Sequence, residues 1–133
     1  MDKPLINPPD LASVLVRADD MPWQATAFPG IEMKLLYQDA RGRSTILFKL
    51  APGAVVPAHE HTELEQTFMI EGRLVDDEGE AGPGDFVWRP AGNRHVARAP
   101  EGALFLSIFL KPNRFDDGTA FFGRDGGASG TGG

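Results

Sequence analysis

Apolar and polar residues along this chain alternate in short runs, and glycine or proline closes most of them. Ile31, Met33, Leu35 and Tyr37 share one parity, which predicts a strand over 31–37 with one buried face. Asp39 to Gly42 predicts a hairpin turn, and Ser44 to Leu50 the returning strand. Pro52-Gly53 turns the chain again. Short strands are predicted at Val55–His61, Gln66–Glu71, Arg73–Asp76, Asp85–Arg89 and His95–Ala97. Leu104 to Leu110 is nearly continuous in apolar character, which predicts a strand buried on both faces or at a barrel seam. Near the start, Asn7 to Asp10 reads as an extended lead-in around Pro8 and Pro9. Leu11 to Arg17 admits a short helix or a first strand, and Val14 to Arg17 favours the strand. Asp19 to Pro22 breaks it, and Ala27 to Gly30 is a turn.

Turn signals recur every eight to twelve residues or so, the spacing of an all-β sandwich or barrel rather than of βα units. The 133 residues suit one domain, expected over 1–123 with an N-terminal extension strand. Residues 124–133, mostly Gly, Ser and Thr, are expected to form a disordered tail. Asn113 to Phe122 is expected to cross the barrel surface, with Phe115, Phe121 and Phe122 packed against it or against a partner.

Composition narrows the function classes. A net charge of −6 argues against a nucleic-acid groove, which needs clustered Lys and Arg. No apolar run approaches the ~20 residues that span a bilayer. Met1-Asp2-Lys3-Pro4 lacks the order of a signal peptide, so a soluble cytoplasmic protein is expected. The chain has no cysteine, so a metal would have to be held by histidine, carboxylate or backbone oxygen.

Its three histidines fall into one pattern. His59 and His61, two apart on a predicted strand, share a face, so both imidazoles can reach one point. Glu65 follows after a short turn, and His95 lies on a later strand. Two close histidines, a carboxylate and a remote third histidine form a ligand set for Fe(II), Mn, Ni, Cu or Zn. A lone strand histidine is usually a partly buried polar residue, but here every histidine of the chain joins the set. Glu60 should point to the opposite face, and Glu63 reads as a solvated loop residue. Thr67 and Met69 share Glu65's parity and are expected to line the cavity, Met69 as filler. Gln24, Tyr37 and Arg98 are candidate polar contacts for a substrate.

The stretch Gly53-Ala54-Val55-Val56-Pro57-Ala58-His59-Glu60-His61-Thr62-Glu63-Leu64-Glu65, with Gly72 seven positions on, resembles the first cupin motif. Gly84-Asp85-Phe86-Val87-Trp88-Arg89-Pro90-Ala91-Gly92-Asn93-Arg94-His95 resembles the second; Ala99 stands where that motif ends in Asn. The resemblance implies an RmlC-like double-stranded β-helix, a jelly-roll-like barrel holding one divalent metal near its open end. His59, His61, Glu65 and His95 would be the ligands.

Trp88-Arg89-Pro90-Ala91-Gly92, Leu110-Lys111-Pro112-Asn113 and the stretch from Met21-Pro22-Trp23 to Lys34-Leu35-Leu36 resemble a narrower group. It joins the cupin domain of anti-sigma factors to acetylacetone-cleaving and dihydroxyacetophenone dioxygenases. The segment ahead of the barrel is too short for the anti-sigma factors' helical zinc domain, which argues against sigma binding. The acetylacetone-cleaving type is expected to use three histidines without an acidic ligand, so Glu65 puts that substrate in question. The leading expectation is a non-haem Fe(II) dioxygenase acting on a small diketone, hydroxyketone or aromatic compound. The alternative is a non-catalytic zinc-binding module that binds or senses a small molecule. A sugar epimerase or isomerase fits less well, because those cupins often lack a complete ligand set. Cupins commonly pair through edge strands, so a homodimer is expected, with the N-terminal strand as a swapping arm.

Overall fold

The chain is described over Leu5–Asp116 in a computed structural model, and the expected tail, Phe121 and Phe122 lie outside those residues. Eleven strands form among them: β1 (Gln24–Ala25), β2 (Ile31–Gln38), β3 (Ser44–Leu50), β4 (Ala54–Glu60), β5 (Glu65–Gly72), β6 (Leu74–Asp76), β7 (Gly79–Ala81), β8 (Phe86–Arg89), β9 (Arg94–Ala99), β10 (Ala103–Phe109) and β11 (Arg114–Phe115). They build two antiparallel sheets, one in the order β1-β2-β3-β10-β5-β8 and the other β11-β4-β9-β6-β7. This is the expected jelly-roll-like barrel. Inward residues of both sheets make one core around Ile31, Phe48, Leu50, Met69 and Phe105. Phe48 stands edge-on to Phe109 and tilted against Phe105, ring centroids 6.2 and 5.5 Å apart.

The β2–β3 hairpin follows its pattern closely. Asp39 holds the turn by accepting from the backbone N–H groups of Arg41 and Arg43. A bulge between Leu35 and Tyr37 then breaks the parity of β2, so Tyr37 ends up 52% exposed rather than inward.

Two expectations need correction. Val14 to Arg17 is not a strand: it is an irregular segment between two short 3₁₀ turns, Pro9–Leu11 and Ala18–Asp20. It pairs with no strand among the described residues, and Val14 is 85% exposed. Its apolar residues lack the neighbours that make a β pattern fold as a strand. Second, β10 is not buried on both faces. It lies mid-sheet between β3 and β5; Ala103, Phe105, Ser107 and Phe109 face the core, while Leu104, Leu106 and Ile108 face outward. β7 is a short strand in a stretch for which the sequence pattern predicts no element. A tight turn pairs Asp76 with Gly79, and Asp76 Oδ1 accepts from the Glu78 N–H at 2.9 Å.

Two glycines supply a positive φ that the turns near the site require, and one of them also a close approach. Gly72 has φ of +68°, and a Cβ there would collide with the carbonyl oxygen of Gly102, where β5 and β10 meet. Gly92, with φ of +90°, turns its N–H onto the carbonyl of His61 at 2.6 Å.

Candidate metal centre

The β-pairing assembles the histidines. β4 pairs with β9 so that His59 stands directly opposite His95, after a bulge between Val56 and His59 that contains Pro57. His61 follows immediately after β4. Its backbone is pinned to the Pro90–Asn93 turn: the His61 N–H donates to Asn93 O at 2.8 Å, and its carbonyl accepts from Gly92. The Pro-Ala-Gly turn thus fixes one histidine while it leads into the strand that carries another. Glu65 begins β5.

All three imidazoles are shielded. His59 and His61 are buried, and 7% of the His95 side chain is exposed. Their ring centroids lie 4.5 to 5.0 Å apart, and one ring nitrogen from each lies within 4.8 Å of the other two. Nitrogens holding one ion at about 2.0–2.1 Å are at most about 4.2 Å apart, so little closure is needed. The Nδ1–H of His59 donates to Pro57 O at 2.7 Å, and the Nδ1–H of His95 donates to Asp76 Oδ2 at 2.8 Å. Each bond fixes the tautomer and leaves Nε2 with a free lone pair. The Nε2 of buried His61 has no hydrogen-bond partner. A buried polar atom left unpaired is costly, and a cation among the three rings would satisfy it. This donor set fits a divalent transition metal.

Protonation follows from the surroundings. Burial, joined by the nearby His95 and His61, pushes His59 down to about 4 despite its bond to Pro57. Burial and the Arg89 charge lower His95 as well. Both rings are therefore neutral near pH 7, the form that ligates metal. Burial alone would raise the Glu65 carboxyl, but His61, His59 and Arg89 outweigh it and hold it below the ordinary range.

Glu65 lies beside the histidine group rather than within it. Its Oε1 is 2.6 Å from His61 Nδ1, at electrostatic contact but off the line of a sound hydrogen bond. Its Oε2 accepts from Thr67 Oγ1 at 3.2 Å, and Thr67 in turn bonds Ser107 at 2.8 Å. Thr67 lines the cavity next to His59 and His95. Met69 does not; it is wholly buried deeper in the core. Glu60 turns outward to Arg114 at 2.6 Å, and Glu63 stays in its loop. Gln24, Tyr37 and Arg98 are exposed and take no part in the cavity wall.

The cavity has a volume of about 40 Å³ and mostly apolar walls, including Phe48, Leu50, Phe105 and Phe109. Arg89 and Asn113 also line it, and Asp76 holds His95 from behind. Sequence reasoning passed over all three. In the run Phe86-Val87-Trp88-Arg89 the aromatic residues look like the core face. The structure inverts this: Phe86 and Trp88 face solvent, 55% and 59% exposed, while Val87 and Arg89 turn inward. The pairing of Glu65 with Arg89 carried the signal, because cross-strand partners share a face.

Residues 11–114 match the sequence profile of the ChrR cupin-like domain. Over 86 residues the chain is 35% identical to oxalate decarboxylase OxdC of Bacillus subtilis, a stretch covering 57% of this chain and only 21% of that protein. Among solved structures, it resembles a protein of Methylibium petroleiphilum provisionally described as an acetylacetone dioxygenase, with 25% identity, 86% and 90% of the two chains covered and a TM-score of 0.74. An acetylacetone dioxygenase of Acinetobacter johnsonii superimposes with the same TM-score of 0.74 at 23% identity, over 92% and 91% of the chains. The anti-sigma factor complex of Rhodobacter sphaeroides, SigE with ChrR, matches at 24% identity and a TM-score of 0.61, over 70% of this chain and 50% of that one. The last two likenesses, below 25% identity, speak for the fold alone.

Proposed function

Because the chain belongs to the family of ChrR cupin-like domains, we propose that it is a metal-dependent cupin enzyme, a non-haem Fe(II) dioxygenase cleaving a small diketone, hydroxyketone or aromatic compound. The observation that carries this reading is the convergence of three buried histidine rings on one point beside a largely apolar cavity. The dioxygenase description of the Methylibium relative supports it. His59, His61 and His95 hold the ion, and Glu65 is a fourth, displaceable ligand. Bound iron would supply dioxygen activation and a Lewis-acidic seat for substrate oxygens. The chain's own residues do the rest. Pro57 O and Asp76 keep two rings in the ligating tautomer. Thr67 steadies the Glu65 carboxylate, and the phenylalanine walls exclude water.

The test is oxygen uptake by anaerobically iron-loaded protein given acetylacetone, a hydroxyacetophenone or a catechol. Turnover is expected with at least one of them, lost in His95→Ala. Full iron loading with no oxygen uptake on any of the three contradicts the reading.

A second reading is a non-catalytic zinc module that binds or senses a small molecule. The nearness of Glu65 to His61 favours it, since three histidines and a carboxylate can close a tetrahedral zinc shell. Tight zinc with no exchangeable water would select it. Ligand type admits Mn and Ni too. No helix among the described residues is long and apolar enough to cross a membrane, and a cytoplasmic location stays part of the proposal.

We also propose a homodimer built on the outer face of the six-stranded sheet. Leu47, Leu106, Phe68 and Phe86 stand side by side across β3, β10, β5 and β8, and Trp88, Ile70 and Ile108 flank them, each at least 40% exposed. Such a patch needs a cover. The same chain carries a second uncovered apolar feature, the N-terminal segment with Leu11, Val14 and Leu15 exposed. Half-exposed aromatics can bury roughly 75–125 Å² each, and the aliphatics and the arm add to this toward the ~800 Å² per partner of a standard interface. A second copy supplies both covers at once.

A further inference from the structure

The cavity lined by His59 and His95 also has a cation in its wall. Arg89 ends β8 directly across from Glu65, and only 12% of its side chain is exposed. A wider cleft of about 320 Å³ lies outside, between β6, β7 and β8. Leu74 and Arg89 line both spaces, so the Arg89 side chain borders the cleft and the metal cavity alike.

Arg89 is only partly engaged. Its Nη1 meets Asp76 Oδ2 at 3.1 Å and Glu78 Oε1 at 3.3 Å. The same Asp76 oxygen accepts from His95, so one atom ties the guanidinium to a ligand ring. A guanidinium has five N–H donors, and among the described residues Nε and Nη2 make no hydrogen bond. Asn113, also in the cavity wall, has a buried amide oxygen without a partner. Donors of Arg89 left free at the cavity wall suit an occupant with oxygen atoms, while the Asn113 oxygen, an acceptor, calls for a hydroxyl or other donor on it.

The charges state which occupant. With ligating imidazoles neutral, and with Glu78 left out because its side chain is 63% exposed to water, the shielded groups are Arg89 (+1), Asp76 (−1), Glu65 (−1) and a divalent ion (+2), a sum of +1. Buried charge is costly unless balanced, so a monoanion completes the site. A polyanion would meet Glu78, Glu80 and Asp85 around the cleft.

We propose that Arg89 is the second pole of the substrate site, binding the anionic oxygen of a small monoanion, carboxylate or enolate, whose other oxygen meets the metal. This rests on the metal-centre reading above and names the substrate class for it.

The test uses the full chain loaded with zinc, which is redox-inert, so oxygen chemistry plays no part. Binding of pyruvate and of its neutral isostere 2,3-butanedione is measured by calorimetry. Wild type is expected to prefer pyruvate by about 10-fold or more, and Arg89→Met to lose that preference, the usual size of one charge-assisted bond. Arg89→Lys keeps the charge without the fork and should fall between. Zinc content should be the same in all three proteins. Unchanged pyruvate affinity in Arg89→Met, equal binding of the two probes by wild type, or no binding of either, overturns the proposal. If Arg89→Met fails to retain zinc, Arg89→Lys decides: affinity equal to wild type overturns it. A wild type that takes up no metal sinks the underlying reading instead, so the two failures are distinguishable.

Discussion

At the scale of single residues, the site depends on groups that touch the ligand rings from behind. Asp76 accepts from His95 and pairs with Arg89 through one oxygen. Replacing it with Asn leaves the shape and removes the charge that orients the ring. Asp76→Asn is expected to weaken metal binding about 10- to 100-fold, the usual effect of losing such a partner, as read by chelator competition. Acid should act through the histidines in the metal-free protein. His59 titrates near 4 when folded against an ordinary 6.5, so between those values the unfolded chain binds more protons. The stability that His59 contributes is therefore complete above pH 6.5 and drains away as pH falls toward 4. The loss is on the order of 3 kcal/mol. His95, lowered too, adds in the same direction. Urea unfolding at pH 7 and pH 5 should show the drop, and His59→Gln should flatten it. A profile unchanged by that substitution would remove His59 as its cause.

At the scale of elements, strand junctions limit what the sequence tolerates. Gly72→Ala puts a methyl group onto the Gly102 carbonyl at a positive φ. It should cost more than about 1 kcal/mol, seen as a lower urea midpoint with an unchanged slope. Strands were legible where alternation met turn chemistry. β3 has the expected limits, because Asp39–Gly42 fixes one end and Pro52-Gly53 follows the other. The three histidines were legible for the same reason, since strand parity and cross-strand register bring them together. Less legible were elements whose apolar residues face away from the core. β8 shows its aromatics to solvent, the outward face of β10 is leucine and isoleucine, and the segment around Val14 has no strand partner. Alternation reveals that a strand has two faces, not which one meets the core. Arg89 was missed through that ambiguity. Asp76 was placed on its strand, but nothing in the sequence marks it as the partner of His95.

At the scale of the molecule, the outward apolar faces of β8 and β10 become one feature: a broad apolar surface on one side of the barrel. A dimer of twice 14.4 kDa is expected by light scattering. Phe68→Lys with Trp88→Lys should yield a folded monomer, because both side chains point away from the core. A monomeric wild type would leave that face for another partner. The barrel itself serves the centre: one sheet supplies His59 and His95, with His61 just past the end of β4, the other Glu65 and Arg89, and the core between them keeps the cavity small. The central claim is that the three histidines hold one ion. It is tested most directly by metal analysis of the full chain after incubation with excess Fe(II) or Zn(II) and desalting. One ion per chain is expected in wild type, falling to near zero in His59→Ala and His95→Ala that remain folded. Wild type retaining neither metal, or histidine variants that keep a full complement, would contradict it.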